Sequence, residues 1–180
     1  MKRNILIAFA ASSLLFYSTQ AFALLNFSAG IPFSHTITGK WSDGAEVKTD
    51  GVSGMFIQVG VPIFPGVGMD SYKTKLKDTT IELATMIYNL YYLLPIPIIN
   101  LTLGAGVGST ELQCSGCAAS FDKGSASQWY ASLGMPIIPL FDLHLSYRSV
   151  NTKIGIKPGS GGGEHDYSGN VMGLGIGFNF

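Results

Sequence analysis

Charge is what this sequence has least of. Asp, Glu, Lys and Arg make up 12% of its 180 residues, about half the share in ordinary globular chains. The 11 basic and 11 acidic residues cancel, so no net field points to nucleic acid or to an acidic partner. Cysteine is nearly absent. The two present exclude a four-cysteine zinc site within one chain. A long uninterrupted apolar helix is also missing: "IYNLYYLLPIPIINLTLGAGVG", Ile87 to Gly108, is long enough to span a bilayer but carries Pro95 and Pro97 at its middle, where each removes a helix hydrogen bond. Glycine, at 23 residues, and apolar side chains, at 47%, are abundant instead. Such a composition calls for an apolar solvent, a very large core, or disorder. Disorder does not fit so much apolar surface, and the chain is too short for a very large core.

The first residues bear on compartment. "MKRN" is basic, "ILIAFAASSLLF" is apolar, and "STQAFA" ends on small residues at Ala21 and Ala23. This is the layout of a secretory signal peptide with cleavage after Ala23; the apolar run is short for a membrane anchor. The expected organisation is a signal peptide over 1–23 and one domain over 24–180.

Strand alternation recurs through that domain. Leu25, Phe27, Ala29, Ile31 and Phe33 share one face, with Asn26, Ser28, Gly30, Pro32 and Ser34 opposite. "SGMFIQVGV" sets Met55, Ile57, Val59 and Val61 against Gly54, Gln58 and Gly60, with Phe56 interrupting the polar side. "INLTLGAGVG", "SQWYASLGM", "FDLHLSYR" and "MGLGIGFNF" repeat the pattern, large apolar residues against glycine or small polar groups. "SYKTKLK" alternates Tyr72, Thr74 and Leu76 with lysines, and "IELATMIYNLYY" begins well and loses phase near Tyr88, where a bulge would restore it. These are eight candidate strands. Short apolar connections ("PIFPGV", "LLPIPII", "MPIIPLFD") alternate with longer polar ones ("SDGAEVKTDG", "KDTT", "QCSGCAASFDKGSA", "KPGSGGGEHDYSGN"). The short ones form an internal repeat: an apolar residue, Pro, Ile, then a second Pro.

A sandwich would carry charge on its solvent face, and this second face carries glycine. Glycine weakens a strand unless something approaches closely, and in a narrow barrel the opposite wall does so. The expected fold is all-β: a closed antiparallel eight-stranded transmembrane barrel with short periplasmic turns and longer outer loops. Closure would also explain why the chain ends "GLGIGFNF", on a strand pattern and an aromatic residue. Leu174, Ile176, Phe178 and Phe180 resemble the C-terminal signal of bacterial outer-membrane barrels. That resemblance implies recognition by the barrel-assembly machinery. With the signal peptide and the Pro-rich turns, the mature chain resembles the small eight-stranded outer-membrane proteins of the OmpX, OmpA membrane-domain and OmpW kind. The resemblance implies a Gram-negative outer membrane, contact with lipid and lipopolysaccharide, and no cofactor.

Four constellations bear on chemistry. Cys114 and Cys117 in "CSGC" lie in a Gly/Ser loop without the helix a thioredoxin motif needs; in an oxidising compartment a small disulfide is the expectation. His144 and Ser146 share a strand face and are similar to the His-x-Ser pair of the lipid A deacylases, with Glu164 as a third member. The phase, however, aims them inward, and Tyr147 stands where that family has asparagine. The competing expectation is a lumen hydrogen-bond network of Asp142, His144, Ser146 and Arg148, with Glu82, because buried charges need partners. Glu164, His165 and Asp166 are metal-capable types, but three adjacent residues rarely converge on one ion and the neighbouring glycines make a mobile loop; no metal is expected. Lys73, Lys75 and Lys77 approach the outer rim, as contacts for lipopolysaccharide or as a solvated strand end. The functional expectation is a non-enzymatic envelope barrel. OmpW-like passage of small apolar compounds is the alternative; it would need a lumen pocket, for which Phe56, Tyr130 and Met86 are the large candidates. Lipid A hydrolysis comes third.

Overall fold

A computed structural model describes residues 25–41, 43–61, 64–96, 99–138 and 140–179. The expected signal peptide and Phe180 lie outside these residues. The strands are β1 (Asn26–Ile37), β2 (Thr49–Gly60), β3 (Gly66–Leu76), β4 (Glu82–Ile96), β5 (Ile99–Gln113), β6 (Gly124–Ile138), β7 (Phe141–Gly155), β8 (Glu164–Asp166) and β9 (Gly169–Asn179). Each strand from β1 to β7 pairs antiparallel with the next, β7 pairs with β9, and β9 returns to β1 over Asn26–Ile37. The result is a closed eight-stranded barrel. β8 is a three-residue addition that extends the top of β7 beyond the ring. The alternating sequence dictates closure: an open sheet would leave two ladders of backbone groups unpaired at its edges.

Most of the alternation maps directly onto the wall. Ile31, Leu90, Val107, Leu133, Leu145 and Ile176 face outward and are exposed, while Gln58, Asn89, Thr102, Ser132, His144 and Arg148 are buried inside. Two segments depart from expectation. β4 needs no bulge near Tyr88. It pairs without a register shift on both sides, with Leu83, Ile87 and Tyr91 buried inside and Met86, Tyr88, Leu90 and Tyr92 exposed outside. The phase is hard to read because both faces are apolar. Met86 is therefore on the outer wall, and the large residues it was expected to join inside are joined by Tyr72, Ile87 and Tyr91. The bulge that does occur in β1 lies between Pro32 and Ser34. It switches the inward parity, so that Asn26 and Pro32 point in before it and His35 and Ile37 after it.

The glycine face exists because the lumen is crowded. A Cβ on Gly104 would lie 2.4 Å from the Tyr130 ring, and one on Gly173 would lie 2.4 Å from the Phe56 ring. The interior is layered along the barrel axis. At the long-loop end Ile37, Val47, Leu76, Leu83, Leu112, Cys117, Ile154 and Tyr167 form an apolar cap. Beneath it Phe56, Tyr72, Ile87, Ala126, Val150 and Val171 make a second apolar cluster. The remainder, toward the short turns, is polar.

Candidate functional site in the barrel lumen

The polar layer is built from one face of several strands. β7 contributes Asp142, His144, Ser146 and Arg148 at alternate positions, as strand geometry requires. Arg148 is the centre. Its Nε donates to Asp70 Oδ2 from β3 at 2.9 Å, and both side chains are almost fully buried. Its Nη1 donates to Ser146 Oγ, and Ser146 Oγ donates onward to the Gly173 carbonyl at 3.2 Å. The guanidinium lies 3.5 Å from the centroid of the Phe56 ring and 5.0 Å from that of Tyr130, so an aromatic face supports the charge as well as the carboxylate. Gln128 Nε2 donates to Asp70 Oδ2 and to Asn89 Oδ1. Asp70 Oδ1, Asn89 Nδ2 and Gln128 Oε1 have no protein partner among the described residues, and groups of this kind are normally satisfied by ordered water.

A second polar group lies nearer the short turns. His144 Nε2 is 3.0 Å from Asp142 Oδ1. Asn100 and Asn179 donate to Asp142 Oδ2, and Asn179 Oδ1 accepts from Asn26 Nδ2 at 2.6 Å. Tyr91 donates to Asn26 at 3.2 Å. Gln58 ties Tyr130 to the β1 wall, donating to the Tyr130 hydroxyl at 2.6 Å and accepting from Ser28 Oγ at 2.9 Å.

Four of the five expected network residues thus lie together, and one does not. Glu82 is on the outer wall, with its carboxylate 3.8 Å from Lys73 Nζ. It pairs across from Lys75 in the ladder, on the face opposite Leu83. Asp70, Asn89 and Gln128 escaped the sequence reading. The signal for Asp70 was there: it is the first charge after an uncharged run over 54–69, in phase with the buried Tyr72 and Thr74. Neutral Asn89 and Gln128 carried no such mark.

His144 and Ser146 are not partnered with each other; each is held by other groups. Glu164 lies opposite Gly155 on β8, about 36 Å up the strand from His144 at ~3.3 Å per residue, and its carboxylate is 3.8 Å from Lys153 Nζ. These three residues make no triad. Nor do the metal-capable residues converge: Glu164 faces Lys153, Asp166 Oδ1 accepts from the Ser168 amide, and His165 packs edge-on against Trp41 at 4.8 Å. Burial holds the His165 ring below its ordinary pKa, and the Asp43 carboxylate partly offsets this. Among the described residues no group of His, Cys, Asp and Glu has metal-binding geometry. Cys114 and Cys117 form a disulfide that carries Cys117 into the apolar cap.

Against the Arg148 centre the lumen holds a space of about 20 Å³, lined by Ser28, Phe56, Gln58, Ser146 and Gly175 among others. That is room for about one water molecule. A larger hollow of about 500 Å³ lies outside the cap, lined by Leu112, Cys114, Ala118, Phe121, Lys123 and Lys157 among others.

No protein-family model matches the chain, and no curated protein matches its sequence. Solved structures do match its fold. Neisserial surface protein A is 15% identical, with a TM-score of 0.58 over 87% of this chain and 97% of that one. Outer membrane protein W of E. coli is 13% identical, with a TM-score of 0.58 over 88% and 98%. Outer membrane protein AlkL is 14% identical, with a TM-score of 0.55 over 88% and 92%. The closed ring, its meander order and these likenesses together establish that the chain has the fold of the small eight-stranded outer-membrane barrels.

Proposed function

We propose that the chain is a non-enzymatic integral barrel of the outer membrane, with a structural role or a role in what its outer loops contact. The observation that carries this reading is the blocked interior: an Arg148–Asp70 centre braced by Phe56 and Tyr130, beneath an apolar cap. An eight-stranded barrel filled in this way is a poor general pore. Lipid and lipopolysaccharide surround the wall, with the outward-facing Lys73 beside the outer leaflet. The barrel-assembly machinery engages the last strand through Leu174, Ile176, Phe178 and Phe180. The test is reconstitution in planar bilayers, with lipid A acylation followed in parallel. The expected result is no discrete conductance and no change in acylation. Open-channel steps, or an acylation change abolished by Ser146→Ala, would overturn the proposal.

A second reading, passage of small apolar compounds, has one observation in its favour. The 500 Å³ hollow is large enough for a small ligand and adjoins the apolar cap through Leu112 and Cys117. Faster uptake of an apolar dye into vesicles carrying the protein than into empty vesicles would favour it.

A further inference from the structure

The Pro-rich apolar turns serve no part of the reading above, and they are unusual. Phe64 is 67% exposed, Ile137 69% and Leu140 48%. Residues 54–69, 83–110 and 124–141 contain no Asp, Glu, Lys or Arg, and each run holds one short turn with wall on both sides. The buried Asp70, Asp142 and Arg148 point inward. The outer surface of the short-turn half is therefore uncharged down to the turn tips.

The dimensions of the apolar wall say what covers those tips. Its upper edge is a ring of small polar residues that includes Thr36, Ser53, Ser109, Ser127, Ser149 and Asn170. Below it on β6 the outward apolar residues run from Trp129 to Ile137, ~27 Å along the strand and ~20 Å along the barrel axis at a ~40° tilt. On β7 they run from Phe141 to Tyr147, ~20 Å along the strand and ~15 Å along the axis. Barrels of this type present an apolar band ~25 Å tall. On β4 the outward apolar residues run from Met86 to Ile96 beside the turn, ~34 Å along the strand and ~26 Å along the axis, so the band reaches that height where it runs down to the turn.

We propose that the two short turns flanked by Phe64 and by Ile137 and Leu140 are immersed in the periplasmic leaflet, so that these three residues form the lower edge of the lipid-facing surface. The inference rests on the membrane-barrel reading. Lipid is the occupant because the turn surface continues the wall without a polar break, because the apolar band attains its full height only where it runs down to a turn, and because no charged side chain at this end would have to be drawn into the bilayer.

The test uses single-tryptophan proteins on a Trp41→Phe, Trp129→Phe background, refolded into phosphatidylcholine vesicles. Phe64→Trp and Leu140→Trp report on turns, and Leu103→Trp reports on the middle of the wall. The expected result is at least a twofold loss of Phe64→Trp and Leu140→Trp emission with lipid brominated near the carbonyl end of the chain, and little loss with aqueous iodide. Leu103→Trp should respond to lipid brominated at mid-chain. Iodide quenching of the turns with Leu103→Trp still lipid-quenched would overturn the proposal and leave the barrel reading intact. Loss of lipid quenching at all three positions would overturn the barrel reading itself. Cross-linking runs alongside in the same vesicles, and a cross-linked dimer through Leu140→Cys would assign the turns to a second copy and overturn lipid as their occupant.

Discussion

The two ends of this barrel solve the problem of a filled interior in opposite ways. The short-turn half packs polar side chains inside and leaves its outer wall uncharged. The long-loop half packs Leu76, Leu83, Leu112 and Ile154 inside and puts its charges outside, as in the Lys73–Glu82, Lys123–Glu111 and Lys153–Glu164 pairs. The reason is the solvent on the other side of the wall. Above the polar ring the outside is wet, so apolar groups gain by turning inward, as in any soluble domain. Below it the outside is apolar, and polar groups find partners only within the tube. One chain thus carries an ordinary hydrophobic core stacked on an inverted one.

Breaking the inverted half should cost most. Arg148→Met leaves Asp70 buried without its counter-charge, a change expected to cost about 3–5 kcal/mol. It should appear as a lower midpoint in urea unfolding of the micelle-bound protein, followed by heat-modified mobility. The double variant Arg148→Met, Asp70→Leu should recover much of that loss, because replacing a buried pair with apolar side chains of similar volume is often near neutral. The ordinary half is tested by Leu83→Ala. Leu83 is fully buried in the cap, and truncation should cost about 3 kcal/mol, with proteolysis of the loops rising before the strands unfold. The rim should matter least. Glu82→Gln removes one exposed ion pair and should shift the same midpoint by no more than ~0.5 kcal/mol. A Glu82 effect as large as that of Arg148 would mean that the two ends are not built on different principles.

The strands below the ring were legible because only one face of each is apolar. Leu101, Leu103 and Val107 stand against Asn100, Thr102 and glycine, and the period of two declares itself. Where an apolar cluster inside sits behind the apolar wall it does not. In β4 Leu83 and Ile87 turn inward while Met86 and Tyr88 turn outward, and a pattern apolar on both sides has no visible phase. The loops misled for a similar reason. They read as polar because most of their residues are, yet Val47, Cys117 and Tyr167, scattered among hydrophilic neighbours, are the ones that close the cap. Of the lumen cluster, the β7 residues could be found because they alternate within one short segment. Their partners Asp70, Asn89 and Gln128 come from other strands, and only the register of the closed ring brings them together.

The extra residue in β1 between Pro32 and Ser34 has a consequence for the seam where the ring shuts. Strand parity is all-or-nothing, so the same sequence paired without that bulge could present the right face to β9 along one half of the joint only. Forcing Phe33 into the ladder would swing His35 and Ile37 out toward the surroundings and bring Thr36 inside, whereas excising it would leave a regular strand with the same residues facing in. The tube owes its single continuous zip, from Gly169 to Asn179, to one residue of slack.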